Sequence, residues 1–155
     1  MKVHFRIGDL IVTGLCYIAV ITMIVYFLIT KNTLPAEIPS RYDFSGNIRA
    51  YGSRNILLTA PVSLLFLISV LSVVSLFPSM WNLPGVKLTE ENSGRLTGIV
   101  RTMLDIMLVL ITAMFLTIYI CQLRCTLVPA FLLPILCALF VANIIFCIMR
   151  CIRAA

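Results

Sequence analysis

An arginine and an aspartate four residues apart, Arg101 and Asp105, are the residues of this sequence whose types and spacing most directly suggest chemistry. Residues four apart in an α-helix share a face, so these two side chains can form an ion pair. Both lie in a long apolar segment, where ionisable side chains usually face protein or water and mark candidate functional sites. The pair either lines a binding site or is purely structural, because a long arginine can reach the interface while its aspartate neutralises it.

Other polar residues are expected at a comparable depth in the remaining apolar segments: Thr13, Ser69, Ser72 and Asn143. With the charged pair they predict a polar cleft that opens towards the cytoplasm. This intramembrane cluster supports one hypothesis, namely a small transport or ligand-binding membrane protein. A scaffold subunit whose helices pack against another membrane protein is a further alternative.

No constellation of catalytic residues is present. Catalysis requires a nucleophile with its base, or a metal with several ligands, held within reach of one another. The sequence contains no H-E-x-x-H, no G-x-S-x-G and no phosphate-binding glycine loop. Asp105 has one other acid near its depth, Asp9 at the membrane edge, and we do not expect these two to form a catalytic aspartyl pair. The sequence therefore indicates a protein that is not an enzyme and has no cofactor.

The six cysteines do not form a metal-binding motif. There is no C-x-x-C, and the single histidine, His4, lies far along the chain from Cys121 and Cys125. Cysteine within an apolar segment behaves as a small hydrophobic residue. We therefore expect no metal site and mostly packing thiols, and one disulfide near the outer face is left open.

The composition is that of a membrane protein. Of the 155 residues, 61% are hydrophobic and 12% charged, whereas about 25% are charged in soluble domains. A membrane-spanning helix needs about 20 apolar residues, and four segments meet this requirement: 9–30, 56–77, 97–121 and 129–149. Because they are continuously apolar and not alternating, we expect helices and no barrel. We predict an all-α membrane protein in which residues 1–155 form one four-helix bundle.

The basic residues favour one orientation in the membrane. With the N-terminus inside, seven Lys and Arg residues are cytoplasmic and five are outside. This small excess predicts cytoplasmic termini, an inner connection at 78–96 and an outer segment at 31–55. The net charge of +6 is spread over both faces, so it does not indicate nucleic-acid binding. The first span follows Lys2 and Arg6, but it is longer than a signal-peptide core and lacks an A-x-A-like site, so we expect a permanent helix.

Local signals predict the ends of the helices. Thr89 is suited to N-cap the third helix, with Glu90 and Glu91 in its first turn. Pro129 suits the first turn of the fourth helix, and Pro134 is expected to bend it by removing a backbone hydrogen bond.

The outer segment is expected to fold as a compact, hairpin-like cap. The sequence Ser45-Gly46 suits a tight turn, and aromatic residues flank it. The cap is either a packed connection or a recognition surface for a peptide or protein partner. In the second case its charged and aromatic side chains would make the contacts: Glu37, Arg41, Tyr42, Asp43, Phe44, Arg49, Tyr51 and Arg54.

The stretch LPAEIPSRYDFSGNIRAYGSRN, followed by ILLTAPVSLL, resembles the domain of unknown function at the N-terminus of SdpI-type bacterial membrane proteins. The resemblance rests on an LP-x-x-IP pattern and on later glycines and a basic residue. The matching residues are Leu34, Pro35, Ile38, Pro39, Tyr42, Gly46, Gly52, Ser53 and Arg54. Arg41 stands where the family usually has histidine, so no metal or proton role is carried over to it.

The resemblance implies a protein of the bacterial cytoplasmic membrane, in a class associated with immunity to secreted peptide toxins and with signalling. The leading hypothesis is therefore an immunity or signalling protein that engages its partner through the outer segment. The larger members of that class have additional helices that this chain lacks.

Overall fold

Four long helices dominate the structure, a computed structural model that describes residues 7–78, 81, 89 and 92–154. The helices are α1 Ile7–Thr30, α2 Thr59–Leu76, α3 Ser93–Arg124 and α4 Leu132–Ala154. Between α1 and α2 lie two strands, β1 Glu37–Tyr42 and β2 Ile48–Ser53, and a 3₁₀ helix, Arg54–Leu58. Each of the four helical segments is long and apolar enough to cross a membrane. The predicted helical bundle with four spans is confirmed at this level, and the two strands add a small β-element to it.

Helix α3 is longer than the predicted span of 97–121. Its 32 residues correspond to about 48 Å at 1.5 Å per residue, more than a hydrocarbon core of about 30 Å. Thr89 was predicted to N-cap this helix, but the helix begins at Ser93 and its N-cap residue is Asn92. Thr89 lies in the turn before the helix, where its Oγ1 accepts from the backbone N–H of Asn92 at 3.4 Å. Asn92 Oδ1 in turn accepts from the Thr89 N–H at 2.9 Å, so the two residues are joined by a reciprocal pair of hydrogen bonds. Glu90 and Glu91, predicted for this first turn, lie outside the described residues.

Helix α4 begins later than predicted, and its second proline acts differently. The helix runs from Leu132 to Ala154 and not over 129–149, and the Leu132 N–H bonds to the Pro129 carbonyl at 2.9 Å. Pro134 is therefore the third residue of the helix, where a backbone N–H has no partner within the helix. The expectation that Pro134 removes a helical hydrogen bond is wrong, because there is no such bond to lose at this position.

The core is formed mainly by α1, α2 and α3, whereas α4 packs against α3. The buried face of α1 consists of residues three or four apart: Cys16, Val20, Met23 and Phe27. This spacing places them on one side of the helix. The Tyr119 hydroxyl of α3 donates to the Met23 carbonyl at 2.7 Å, which joins α1 and α3 inside the core. Many remaining apolar side chains of all four helices are exposed, as expected for surfaces that face lipid.

The predicted hairpin is present as β1, β2 and the turn between them, which we call the hairpin. The strands pair antiparallel, with Ile38 opposite Gly52. The Gly46 N–H bonds to the Asp43 carbonyl at 3.0 Å, and Gly46 adopts a φ of 83°, which favours glycine. Ile38 is completely buried in the main core, so the hairpin packs onto the helix ends.

The turn of the hairpin docks onto the connection between α3 and α4. The Val128 N–H donates to the Gly46 carbonyl at 3.0 Å. The Tyr42 hydroxyl donates to the Thr126 carbonyl at 3.2 Å. We call this end of the bundle the hairpin end, and we call the opposite end, where α1 and α3 begin, the terminal end. The docked hairpin ties both interhelical connections at the hairpin end into one unit.

Replacement of Gly46 should release the hairpin. A Cβ at this position would overlap the carbonyl oxygen of Val128 and lie 2.8 Å from its carbon, and the positive φ adds strain. We expect Gly46→Ala to lower the free energy of unfolding in detergent by at least about 1–3 kcal/mol and to speed hydrogen exchange at the Val128 amide. The matched control is Gly14→Ala in α1, where a Cβ meets no atom within 4 Å. Equal stability of the two variants would contradict this account of the docked turn.

Candidate functional site

A cavity of about 140 Å³ lies between α1, α2 and α3 at the terminal end of the bundle. We call it the inner cavity. Its polar lining comes from all three helices: Asp9, Thr13, Ser72, Ser75, Arg101 and Asp105. The rest of its wall is leucine: Leu10, Leu71, Leu76, Leu104 and Leu108. The inner cavity therefore combines charged groups with an apolar wall.

Arg101 is the central residue of this site, and its side chain is only 4% exposed. Its Nη1 lies 3.7 Å from Asp9 Oδ2 of α1, which forms an ion pair between two helices. Its Nη2 donates to the Ser75 carbonyl of α2 at 3.4 Å. That carbonyl belongs to the last turn of α2, where carbonyls lack helical partners and a positive charge is favourable. One guanidinium on α3 thus connects all three helices around the cavity.

The predicted polar cluster is divided by the fold. Arg101, Asp105 and Ser72 share the inner cavity, as does Thr13. Ser69 is not part of its lining, and its hydroxyl donates to the Leu65 carbonyl at 2.8 Å and lies 3.4 Å from that of Tyr17. Four of the six residues of the predicted cluster therefore belong to one site.

Asn143 lies in the contact between α3 and α4 and not in the inner cavity. Its Nδ2 donates to the Met103 carbonyl at 3.0 Å, and the residue is only 8% exposed. Met103 lies two residues before Asp105 in α3, so Asn143 contacts α3 at nearly the depth of Asp105. Its side chain satisfies a carbonyl of the neighbouring helix, which explains how an amide is accommodated in an apolar contact.

Sequence reasoning treated Asp9 as an acid at the membrane edge and missed it as the partner of Arg101. The i, i+4 rule finds partners on the same helix, and it contains no information about which helices approach each other. One feature of the sequence could have linked the two residues, namely their depth in the membrane. Asp9 lies near the start of α1, and Arg101 lies in the first part of α3. The contact of Arg101 with Ser75 could not be predicted from the residue type, because the acceptor is the Ser75 backbone carbonyl.

Charge and size limit what the inner cavity can hold. Two carboxylates and one guanidinium line it, so these groups carry one net negative charge when all are ionised. The Ser72 hydroxyl is buried and makes no hydrogen bond within the described part of the chain. The cavity has a volume of about 140 Å³. A water molecule needs only about 10–15 Å³ of cavity volume, whereas sites for drug-sized ligands occupy about 300–1,000 Å³. The cavity is suited to a few water molecules or a small ion.

The eight predicted recognition residues of the hairpin fall into two groups. Glu37, Arg41, Phe44, Arg49 and Tyr51 are exposed, with Phe44 at 64% and Tyr51 at 60%. The other three are bound within the structure: Asp43 closes the hairpin turn, and Tyr42 and Arg54 bond to backbone carbonyls outside the hairpin. The exposed group presents two aromatic rings and both signs of charge to the surroundings.

Asp43 closes the hairpin turn. Its carboxylate accepts from the Asn47 backbone N–H at 2.8 Å and from the Asn47 side-chain amide at 3.2 Å. Arg49 Nε lies 3.5 Å from the same carboxylate. The backbone hydrogen bond is the largest of the effects that lower the pKa of Asp43. Asp43 is therefore held in its charged form by the turn that it closes.

Tyr42 and Arg54 anchor the two ends of the hairpin to the helices. Burial, more than any other effect, raises the pKa of Tyr42 to about 12, which keeps its hydroxyl protonated as a donor to the Thr126 carbonyl. Arg54 Nη1 donates to the Lys31 carbonyl at 2.8 Å, directly after the end of α1. Both residues therefore have a structural role in docking the hairpin.

All six cysteines are described, and all are free thiols, including Cys121 and Cys125. In α4, the sulfurs of Cys147 and Cys151 lie 4.0 Å apart in the contact with α3. Within the described ranges, no group of three or more His, Cys, Asp or Glu residues is arranged to hold a metal ion.

Comparisons with protein-family models, with curated proteins and with solved structures found no match to this chain. The resemblance of the outer segment to SdpI-type proteins therefore stays a prediction. The class that the fold and site define is a multi-pass helical membrane protein with a small, charge-lined cavity.

Proposed function

We propose that this is a small, non-catalytic membrane protein that binds a proton or a monovalent cation in the inner cavity. The observation that carries the proposal is the presence of two carboxylates and one guanidinium, Asp9, Asp105 and Arg101, around a cavity in an apolar bundle. Ionisable residues at such depth are expensive and usually functional.

The net charge of the site selects the class of ligand. Two carboxylates and one guanidinium give the lining one net negative charge when all three are ionised, and a net negative charge favours a proton or a cation over an anion as the ligand. The hydroxyls of Thr13, Ser72 and Ser75 add oxygen atoms to the lining, and hard cations prefer oxygen ligands. The Ser72 hydroxyl is buried and has no hydrogen bond to the residues that the structure describes, so it would gain a partner from a cation or from its water.

The test is the thermal stability of the purified full chain in detergent. Ligands that bind the folded state stabilise it by mass action, by about 2.7 kcal/mol at a concentration 100 times the dissociation constant. If the ligand is a monovalent cation, we expect the unfolding temperature to be higher in NaCl or KCl than in choline chloride at equal ionic strength. If the ligand is a proton, we expect the unfolding temperature to rise when the pH falls. Asp105→Asn should remove this response, because the site then has no net negative charge.

The matched control is Asp43→Asn, which removes an acid from the hairpin turn at the other end of the bundle. It should lower stability in all solutions and keep the response to cations and pH. The proposal would be contradicted if cations and pH change the unfolding temperature of the wild type no more than that of Asp105→Asn.

A second candidate is recognition of a peptide or protein partner at the hairpin, the immunity or signalling role that the resemblance implies. It is favoured by the exposure of Phe44 and Tyr51 beside Arg41 and Glu37, on a hairpin whose turn is fixed at Gly46. Exposed aromatic residues and arginine are typical of interface anchors. This role requires the hairpin to face the exterior of a bacterial cytoplasmic membrane, with both termini inside, as the seven-to-five distribution of basic residues favours.

The native cysteines allow a direct test of that orientation. Cys125 is exposed in the connection beside the hairpin, and Cys16, Cys121, Cys147 and Cys151 are buried. Cys137 is also exposed, but it lies within α4, which is long and apolar enough to cross a membrane and to shield this thiol from an impermeant reagent. A membrane-impermeant maleimide added to intact cells should therefore label the wild type and not Cys125→Ser. Labelling of Cys125 only after the cells are opened would exclude an exterior partner for the hairpin.

A further inference from the structure

We propose that the groove between α3 and α4 binds one anionic phospholipid. The phosphate lies among three arginines at the terminal end, and one acyl chain follows the apolar groove towards the middle of the membrane. This site is formed by α3 and α4 and shares no lining residue with the inner cavity, so the proposal does not depend on the function proposed above.

The polar part of the site is an open cleft of about 390 Å³, which we call the arginine cleft. Arg95 comes from the start of α3, and Arg150 and Arg153 come from the end of α4. No acidic side chain is among the described residues that line the cleft. The Arg150 guanidinium lies 5.7 Å from the centre of the Phe146 ring, which orients it. Guanidinium groups bind phosphate through two parallel hydrogen bonds, and three arginines complement a phosphate well.

The apolar part is continuous with the arginine cleft. Ile99, Thr102 and Arg150 line both the arginine cleft and a small pocket below it. That pocket shares Ile106 and Phe146 with an open groove of about 610 Å³. The other residues of the groove are almost all apolar: Leu110, Leu139, Ala142, Asn143, Ile145 and Met149. One strip along the contact of the two helices thus changes from basic to apolar.

The dimensions of this strip match one leaflet of a bilayer. From Ile99 to Leu110 the groove follows α3 for about 16 Å at 1.5 Å per residue, and half of a hydrocarbon core is about 15 Å. Arg95 and Arg150 lie just beyond the predicted spans 97–121 and 129–149, where the phosphate groups of lipids are found. Basic pockets between membrane helices are known sites for acidic lipid headgroups.

The apolar groove distinguishes a lipid from a soluble phosphate compound. A soluble phosphate would contact the arginine cleft alone, and its affinity would not change when the groove is filled. Isolated arginines at an interface attract acidic lipids without a defined site. A defined site instead depends on both its parts, the arginines and the groove.

The experiment is native mass spectrometry of the full chain in detergent, titrated with dioleoylphosphatidic acid or dioleoylphosphatidylcholine. We expect one phosphatidic acid per chain, bound at least about tenfold more tightly than phosphatidylcholine, since charge-assisted hydrogen bonds from the arginines favour the anionic headgroup. The double substitution Arg150→Gln with Arg153→Gln should remove this preference. Ala142→Trp, which fills the apolar groove and leaves the arginines intact, should weaken phosphatidic acid binding several-fold.

Two controls make the result decisive. Arg49→Gln removes an exposed arginine at the hairpin end and should leave the affinity unchanged. Inorganic phosphate at millimolar concentration should not displace the lipid. The proposal is overturned if the two lipids bind equally, if Arg49→Gln weakens binding as much as the double substitution, if Ala142→Trp has no effect, or if inorganic phosphate displaces the lipid.

Discussion

The contact of Arg101 with Asp9 and with the Ser75 carbonyl is the interaction on which the terminal end of the bundle depends. An arginine that is only 4% exposed must be compensated, because an isolated charge in an apolar interior is very costly. The compensation comes from two other helices, so one side chain links α1, α2 and α3 at this end of the bundle. The inner cavity lies beside this contact and is lined by Arg101, Asp9 and Ser75.

Different kinds of contact hold the two ends of the molecule together. At the terminal end a charged side chain joins three helices, and the site that results is polar and small. At the hairpin end the contacts are backbone hydrogen bonds, in which Gly46 approaches Val128 closely enough to exclude any side chain. Helix α4 packs on α3, and the groove between these two helices is the surface on which we place a lipid.

The sequence predicts those features that depend on local composition. Four continuously apolar segments predict four helices, and Ser45-Gly46 predicts the turn. Thr89 was a less exact signal, because α3 begins at Ser93 with Asn92 as its N-cap residue. Features that depend on contacts between distant segments were missed. The partner of Arg101 is Asp9, which lies on another helix. Asn143 lies at the predicted depth but faces α3 and not the inner cavity, and the rotation of α4 that decides this cannot be read from the sequence. Pro134 was misjudged because the first residue of α4 decides whether its missing N–H matters.

The most direct measurement of the central contact is a double-mutant cycle on Asp9 and Arg101. Unfolding free energies would be measured in mixed micelles for Asp9→Asn, Arg101→Gln and the double variant. Interacting residues show coupling energies of about 0.5–3 kcal/mol, whereas independent sites are additive within about 0.5 kcal/mol. The account predicts that the double variant is more stable than the sum of the single effects implies, by more than about 1 kcal/mol. Additive effects would show that the two residues do not hold α1 and α3 together.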